Sequence, residues 1–454
     1  MAIRAIAAMV FVAALGLFLS QPLINADDRV SQRAPVLPRS TPVETRTPKA
    51  RPTSIPTPTP AATSAAPGPG TLAHRYPRAC LRPVAQPGPQ GLVAAYAKGA
   101  IRITTTDGGV RATIRAPGGI VRPPLAWSPS GRILAAGPQG LFWRPNGKLV
   151  FIGDVQHGLV QGKRGTWGWS PLADCGVQID EAGALNAVAV NPLVAGPGVT
   201  LIEDGVESFA FSPDGGKLGL VRIDEGERSI WVADLATNRL QQLVDFPDPT
   251  CCISLGGWTP AGDELLFWAG PGQSVMADGW PLESVSLDGH RREWAPTVPN
   301  AALARCGERL LGLVGGDRTG DGARLALLRP GRPDLSLTAT SDRVRSMSCS
   351  PDGRFFVVQS DARLALLDPA GALIRYLTDV DTANGQWSER APEWGPPRTG
   401  ILFARSLHLQ SQLWFIPEGQ ASAGPVVDLE LTGRWSLRSL FDWSATSPTG
   451  GASN

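Results

Sequence analysis

The sequence predicts an all-β propeller, and three observations predict it. Glycine (52) and proline (42) are abundant over 454 residues, which breaks helices and favours short strands joined by turns. One phrase recurs: an aromatic residue, Ser or Thr (once Gly), Pro, a short turn and a β-rich run. It starts at Trp127, Trp169, Phe211, Trp258 and Trp394, with Cys349 once in the aromatic's place and a weaker version at 304–306. The third positions fall at 129, 171, 213, 260, 306, 351 and 396, in steps of 42 to 47 residues. Units of roughly 40–45 residues with four strands each are propeller blades.

The elements follow in chain order. Arg4 precedes an uncharged stretch from Ala5 to Asn25. A basic start and an apolar run make an export signal, or a signal anchor if uncut, over residues 1–26. Residues 27–79 are rich in Pro, Thr and Ala. Repeated Thr-Pro and Ala-Pro steps hold such a chain extended and leave too little apolar surface for a core, so a disordered linker is expected. The propeller is placed at 80–446 and a disordered tail at 447–454.

Within it, residues 91–115 carry three strand-like runs with no preceding phrase, and Trp443 ends a phrase strand with no successors. Joined, they make one blade shared by both ends of the chain, which removes exposed sheet edges. The count is then eight blades of four antiparallel strands. Seven is the fallback if the weak unit near Trp169 merges with a neighbour. In each blade, strand a ends in the anchor (Trp127, Trp169, Phe211, Trp258, Trp394, Trp443), and strands b, c and d follow. Asp-Gly after Ser-Pro supplies the positive φ of the a–b turn.

The Ser-Pro-Asp-Gly phrases at 212–215 and 350–353, with the Ile-Trp-Val-Ala-Asp-Leu run at 230–235, resemble the TolB-type and WD40-like (PD40) propeller repeats of bacterial envelope proteins. The resemblance covers about residues 90 to 445. It implies a propeller and an extracytoplasmic place, while leaving the activity open.

Composition excludes some functions. A net charge of +2 gives no electrostatic footprint for nucleic acid. The four His show no metal spacing, and neither a nucleophile elbow nor a phosphate-cradling Gly-rich loop occurs. A non-enzymatic binding protein without a cofactor is therefore expected, with a propeller enzyme the remaining alternative. Two loops stand out. Asp317, Thr319 and Asp321 alternate before Gly322, like the first half of a calcium loop. The long b–c loop at 270–281 carries Asp278 and Trp280. With Glu225, Glu227 and Arg228, these loops belong to three consecutive blades and open on one face, the expected binding surface. A protein of the cell envelope is the expected partner, and a glycan or small ligand the second. Membrane contact is expected only through the N-terminal segment, and the protein is expected to be a monomer.

Six Cys allow 15 pairings. Strand topology puts Cys175, Cys306 and Cys349 toward the a–b face, with Cys80 on the same side. Cys251 and Cys252 fall at the opposite face, as a vicinal pair or two free thiols.

Overall fold

The computed structural model describes residues 70–84, 91–115, 125–136, 141–143, 149–151, 167–180, 182–189, 198–246, 251–271, 280–298, 303–314, 324–330, 335–337, 344–360, 363–378, 388–407, 410–420, 422–429 and 440–444. Among them, the strands fall into eight antiparallel sheets, seven of four strands and one of five. We number the sheets I to VIII by their strand b. Sheet I contains Val93–Ala97, Ala100–Thr104 and Val110–Ile114, and its strand a is Phe441–Trp443. Residue pairs Val93↔Trp443, Ala94↔Asp442 and Ala95↔Phe441 set that register. The other strands a are Leu125–Trp127 (II), Trp167–Trp169 (III), Val206–Phe211 (IV), Cys251–Trp258 (V), Leu303–Cys306 (VI), Val344–Cys349 (VII) and Ser388–Trp394 (VIII). All-β structure in successive four-stranded meanders is the architecture of a propeller.

Apolar side chains alternate along each strand because successive residues face opposite sides of a sheet. Each sheet therefore has two faces to cover, and a neighbouring sheet covers each. Ile103 of sheet I shares a core with Trp127 of II, Ala135 of II with Val188 of III, and Val177 of III with Leu218 of IV. Val221 of IV packs with Phe267 of V, Trp268 of V with Leu310 of VI, and Leu311 of VI with Phe356 of VII. Val357 of VII joins Phe403 of VIII, and Leu413 of VIII joins Val93 of I. At roughly 25 cal/mol per Å² of apolar surface, these seams supply most of the driving force for folding. One of them is close enough to require glycine: a Cβ on Gly219 would lie 2.4 Å from Leu265 Cδ1 of the next sheet.

The recurring phrase has a local cause. In sheet IV the Ser212 hydroxyl donates to Asp214 (2.6 Å) and accepts from the Lys217 N–H (2.9 Å), while Gly216 N–H donates to Asp214 (3.0 Å). Gly215 sits at φ +63°. Ser350, Asp352, Arg354 and Phe355 repeat this in sheet VII, with Gly353 at φ +67°. Pro needs no N–H partner at the first corner, and only Gly takes the left-handed corner without strain. Sheet VI departs from this pattern. Residues 304–306 are all strand, and the a–b turn is a two-residue one between Cys306 and Arg309.

The strands a are also stitched to each other at their anchored ends. The Trp169 indole N–H donates to Ala126 O (3.0 Å), and the Trp258 indole N–H to Ala210 O (3.0 Å). Elsewhere the residue before the anchor supplies a side chain instead. Asp442 accepts from Trp127 N–H (2.6 Å), and Ser348 from Trp394 N–H (3.1 Å). These polar links join the strand-a edges of neighbouring sheets. The exposed apolar side chains Val110, Val199, Leu373 and Ile374 all lie on strands d.

Four cysteines form two disulfides, Cys80–Cys175 and Cys306–Cys349. The second joins the ends of two neighbouring strands a. Cys251 and Cys252 open strand a of sheet V, but their side chains lie outside the described residues. The described structure begins at Gly70, inside the stretch read as linker: Gly70–Thr71 pairs with Leu240 and Arg239 as the fifth strand of sheet IV. The N-terminal 1–26 segment and the tail 447–454 lie outside the described residues. Among the described residues, no helix is long and apolar enough to cross a membrane.

Candidate functional site

The b–c end of sheet IV is the best-defined part of the expected binding face. Strand b (Lys217–Asp224) and strand c (Glu227–Asp234) are joined by Glu225 and Gly226, at φ +49° and +93°. Two positive φ angles in succession suit the right-handed twist of a hairpin. Glu is an uncommon residue for the first of these corners, where Asn or Gly is less strained. Glu225 therefore holds an exposed carboxylate at the tip of the hairpin at some local cost.

The neighbouring d–a connection, Glu203-Asp204-Gly205, lies beside this hairpin. Ile223 N–H donates to Gly205 O (2.7 Å), and Val206 N–H donates to Gly183 O of the adjoining b–c turn in sheet III (2.9 Å). Glu203, Asp204, Glu207, Asp224, Glu225, Glu227 and Asp245 are all exposed. Two guanidinium groups answer this charge. Arg228 grips Glu207 with two bonds, Nε at 2.9 Å and Nη2 at 3.3 Å. Arg222 lies 3.7 Å from Asp204 and stacks over Trp231 at 5.1 Å. The rim keeps a surplus of negative charge, which creates a long-range field.

The structure places Glu225 in the b–c turn and Glu227 at the start of strand c, on one rim. It commits Arg228 to Glu207, within its own sheet. Glu203, Asp204 and Glu207 join the rim unforeseen, although a Glu-Asp-Gly turn before a strand a was a usable signal. Trp280 does not lie in a loop: it opens strand c of sheet V, paired with Val298, and its side chain lies outside the described residues. Gly270 and Pro271 likewise finish strand b of that sheet. Asp278 and the calcium-loop candidates Asp317, Thr319 and Asp321 lie outside the described residues.

The other titratable groups behave as structural parts. Asp107 and Asp288 are held below the ordinary carboxylate value, first by the hydroxyls of Thr105 and Ser286. In Asp214 and Asp352 burial pushes upward, but the serine hydroxyl and a turn N–H more than offset it, and both end lower. These are capped turns. The buried Glu264 accepts from Ser284 (2.6 Å) and Arg292 (2.9 Å), and Trp294 completes the network through Ser284 (2.8 Å). Such a satisfied acid is structural. Among the described residues no group of three His, Cys, Asp or Glu side chains is placed to hold a metal ion.

No family model matches the chain, and no curated protein matches it. Solved structures do. A dihydro-heme d1 dehydrogenase, NirN, solved with DHE, aligns with a TM-score of 0.52 at 13% identity, covering 79% of this chain and 78% of that one. The β-propeller domain of the Trilobed protease from Pyrococcus furiosus aligns at 0.36 with 12% identity, covering 67% and 83%. TolB from Acinetobacter baumannii aligns at 0.33 with 16% identity, covering 62% of each chain. The first likeness shows a shared fold alone, and the other two are too loose to bear on function. With its repeated four-stranded sheets, the protein belongs to the β-propeller class.

Proposed function

We propose that the protein is a non-enzymatic, extracytoplasmic propeller that binds a protein of the cell envelope through the acidic rim of sheet IV. In this reading the eight sheets are the blades of one closed ring, sealed where Phe441–Trp443 lies beside Val93–Ala97. Residues 1–26 direct export, and residues 27–69 tether the ring. The Ser-Pro-Asp-Gly turns ally it with the PD40-type repeats, and the disulfides agree with an oxidising compartment. No bond is made or broken: the ring holds loops rigidly, and a complementary surface docks on them.

The carrying observation is the charge surplus at the rim, where Glu203, Asp204, Asp224, Glu225, Glu227 and Asp245 are exposed around two engaged arginines. A partner with a Lys- or Arg-rich segment fits such a rim, and the field speeds its approach. The test uses Glu225→Asn, which suits the left-handed corner and removes one charge, and the reversal Asp204→Lys/Glu227→Lys. Crosslinked capture from an envelope fraction should fall with the first variant and by at least about tenfold with the second. Capture should also weaken as salt rises. Equal capture by all three proteins, or capture indifferent to salt, overturns the rim as the docking surface.

A further inference from the structure

Residues 70–84 belong to no repeat unit, yet they are built into the seam between sheets III and IV. Gly70–Thr71 extends the outer edge of sheet IV. Leu72 N–H donates to Asn238 O (3.2 Å), and the Asn238 side-chain amide donates back to Leu72 O (3.3 Å). The segment then crosses to sheet III. Ala73 N–H donates to Leu201 O (2.9 Å), His74 Nδ1 lies 2.9 Å from Thr200 O, and Val84 N–H donates to Leu172 O (2.9 Å). Leu72, Tyr76 and Cys80 are buried in one cluster with Val177 and Leu201 of sheet III and Leu218 and Leu240 of sheet IV. The anchor arriving at this seam is Phe211, which has no indole N–H to donate. Cys80 instead bonds covalently to Cys175, the first residue of strand b in sheet III.

We infer that residues 70–84 are a strap whose closure over the III–IV seam is conditional on oxidation. The chemistry balances with a small disulfide as oxidant: the Cys80 and Cys175 thiols lose two protons and two electrons and join. The oxidant's S–S bond breaks and leaves as two thiols. Cys80 is 0% exposed and Cys175 4%, so neither is reachable once the strap is seated. Oxidation therefore precedes or accompanies seating, and the finished bond is shielded from reductant. A chain in a reducing compartment keeps this seam open, and one exposed to an oxidant locks it. The second disulfide provides an internal control, because Cys349 is only half-buried. The inference stands independently of the partner and of the acidic rim.

The test takes the full-length protein under native conditions with dithiothreitol. Each cysteine is followed by differential alkylation and mass spectrometry, and the backbone by hydrogen–deuterium exchange. Cys306–Cys349 should open at least about tenfold faster than Cys80–Cys175, because a buried bond waits for local opening. Loss of Cys80–Cys175 should coincide with faster exchange in 70–84, 172–177 and 199–202, with 255–267 unchanged. The variant Cys80→Ser/Cys175→Ser, which keeps the other disulfide, should show that same local pattern without reductant. Equal reduction rates, reduction without the local rise, or a rise throughout the chain would overturn the strap. If the double variant does not fold, the time course on the unmutated protein decides alone.

Discussion

Two seams between neighbouring sheets solve the same problem with different chemistry. Between sheets IV and V, Trp258 is wholly buried and its indole bonds to Ala210 O across the seam. Between sheets VI and VII, the anchor position holds Cys349, and a disulfide to Cys306 makes the crossing. The first seam combines a large buried area with one polar link, the indole N–H donated to Ala210 O. The second has a small residue at the same place and relies on a covalent bond. A crossing between neighbouring strands a is thus made by a hydrogen bond at one seam and by a covalent bond at the other.

Substitution can remove either crossing. Trp258→Ala should cost about 3–5 kcal/mol in urea unfolding, since it opens a cavity and removes the indole bond to Ala210 O. Trp258→Phe, which keeps most of the packing, should lose only about 1–2 kcal/mol. A Trp258→Phe variant as stable as the unmutated protein would show that the indole link does not hold this seam. Cys306→Ser/Cys349→Ser should cost about 2–4 kcal/mol without reductant, because the loop closed in the unfolded chain is released. A variant as stable as the unmutated protein would show that the VI–VII core, Leu311 and Phe356 included, holds that seam unaided.

The smallest expected effect concerns the turns that carry the phrase. Asp214 and Asp352 have folded pKa values lowered from 3.8. Such groups stabilise the fold above their unfolded value and lose that contribution as pH falls through the folded one. Melting temperature should therefore drop as pH is lowered below the ordinary value of 3.8. Asp352→Asn should cost about 1 kcal/mol at neutral pH and flatten part of that acid dependence. An unchanged pH profile in the variant would remove the aspartate from the account.

Much of this was legible along the chain because the determinants are local. Ser212, Asp214 and Gly215 act within six residues of one another, and the alternating apolar runs that follow declare strands without reference to distant partners. Glu225 and Glu227 were placed on one rim by counting strands. Arg228 went with them, but its role changed: Glu207, which holds it, lies in strand a of the same sheet, beyond strand b, and no local pattern announces that ion pair. Trp280 was read as a loop residue because Gly and Pro around 270–272 mimic a turn, whereas pairing with Val298 draws it into strand. The strap escaped for a related reason. Its composition resembles the linker before it, and only docking on Asn238 and Leu201 gives it structure.

By itself, then, the sequence determined the repeat, the strands with their turns, and the side of the sheets on which four cysteines would meet, because hydrophobic period and turn chemistry act over a few residues. The tertiary structure alone decided the rest. It chose Cys80–Cys175 across a separation of 95 residues, turned residues 70–84 into the filling of a seam, and set Arg228 against Glu207. These outcomes depend on which surfaces meet after the sheets have formed, and the chain encodes them only through the fit of the assembled whole.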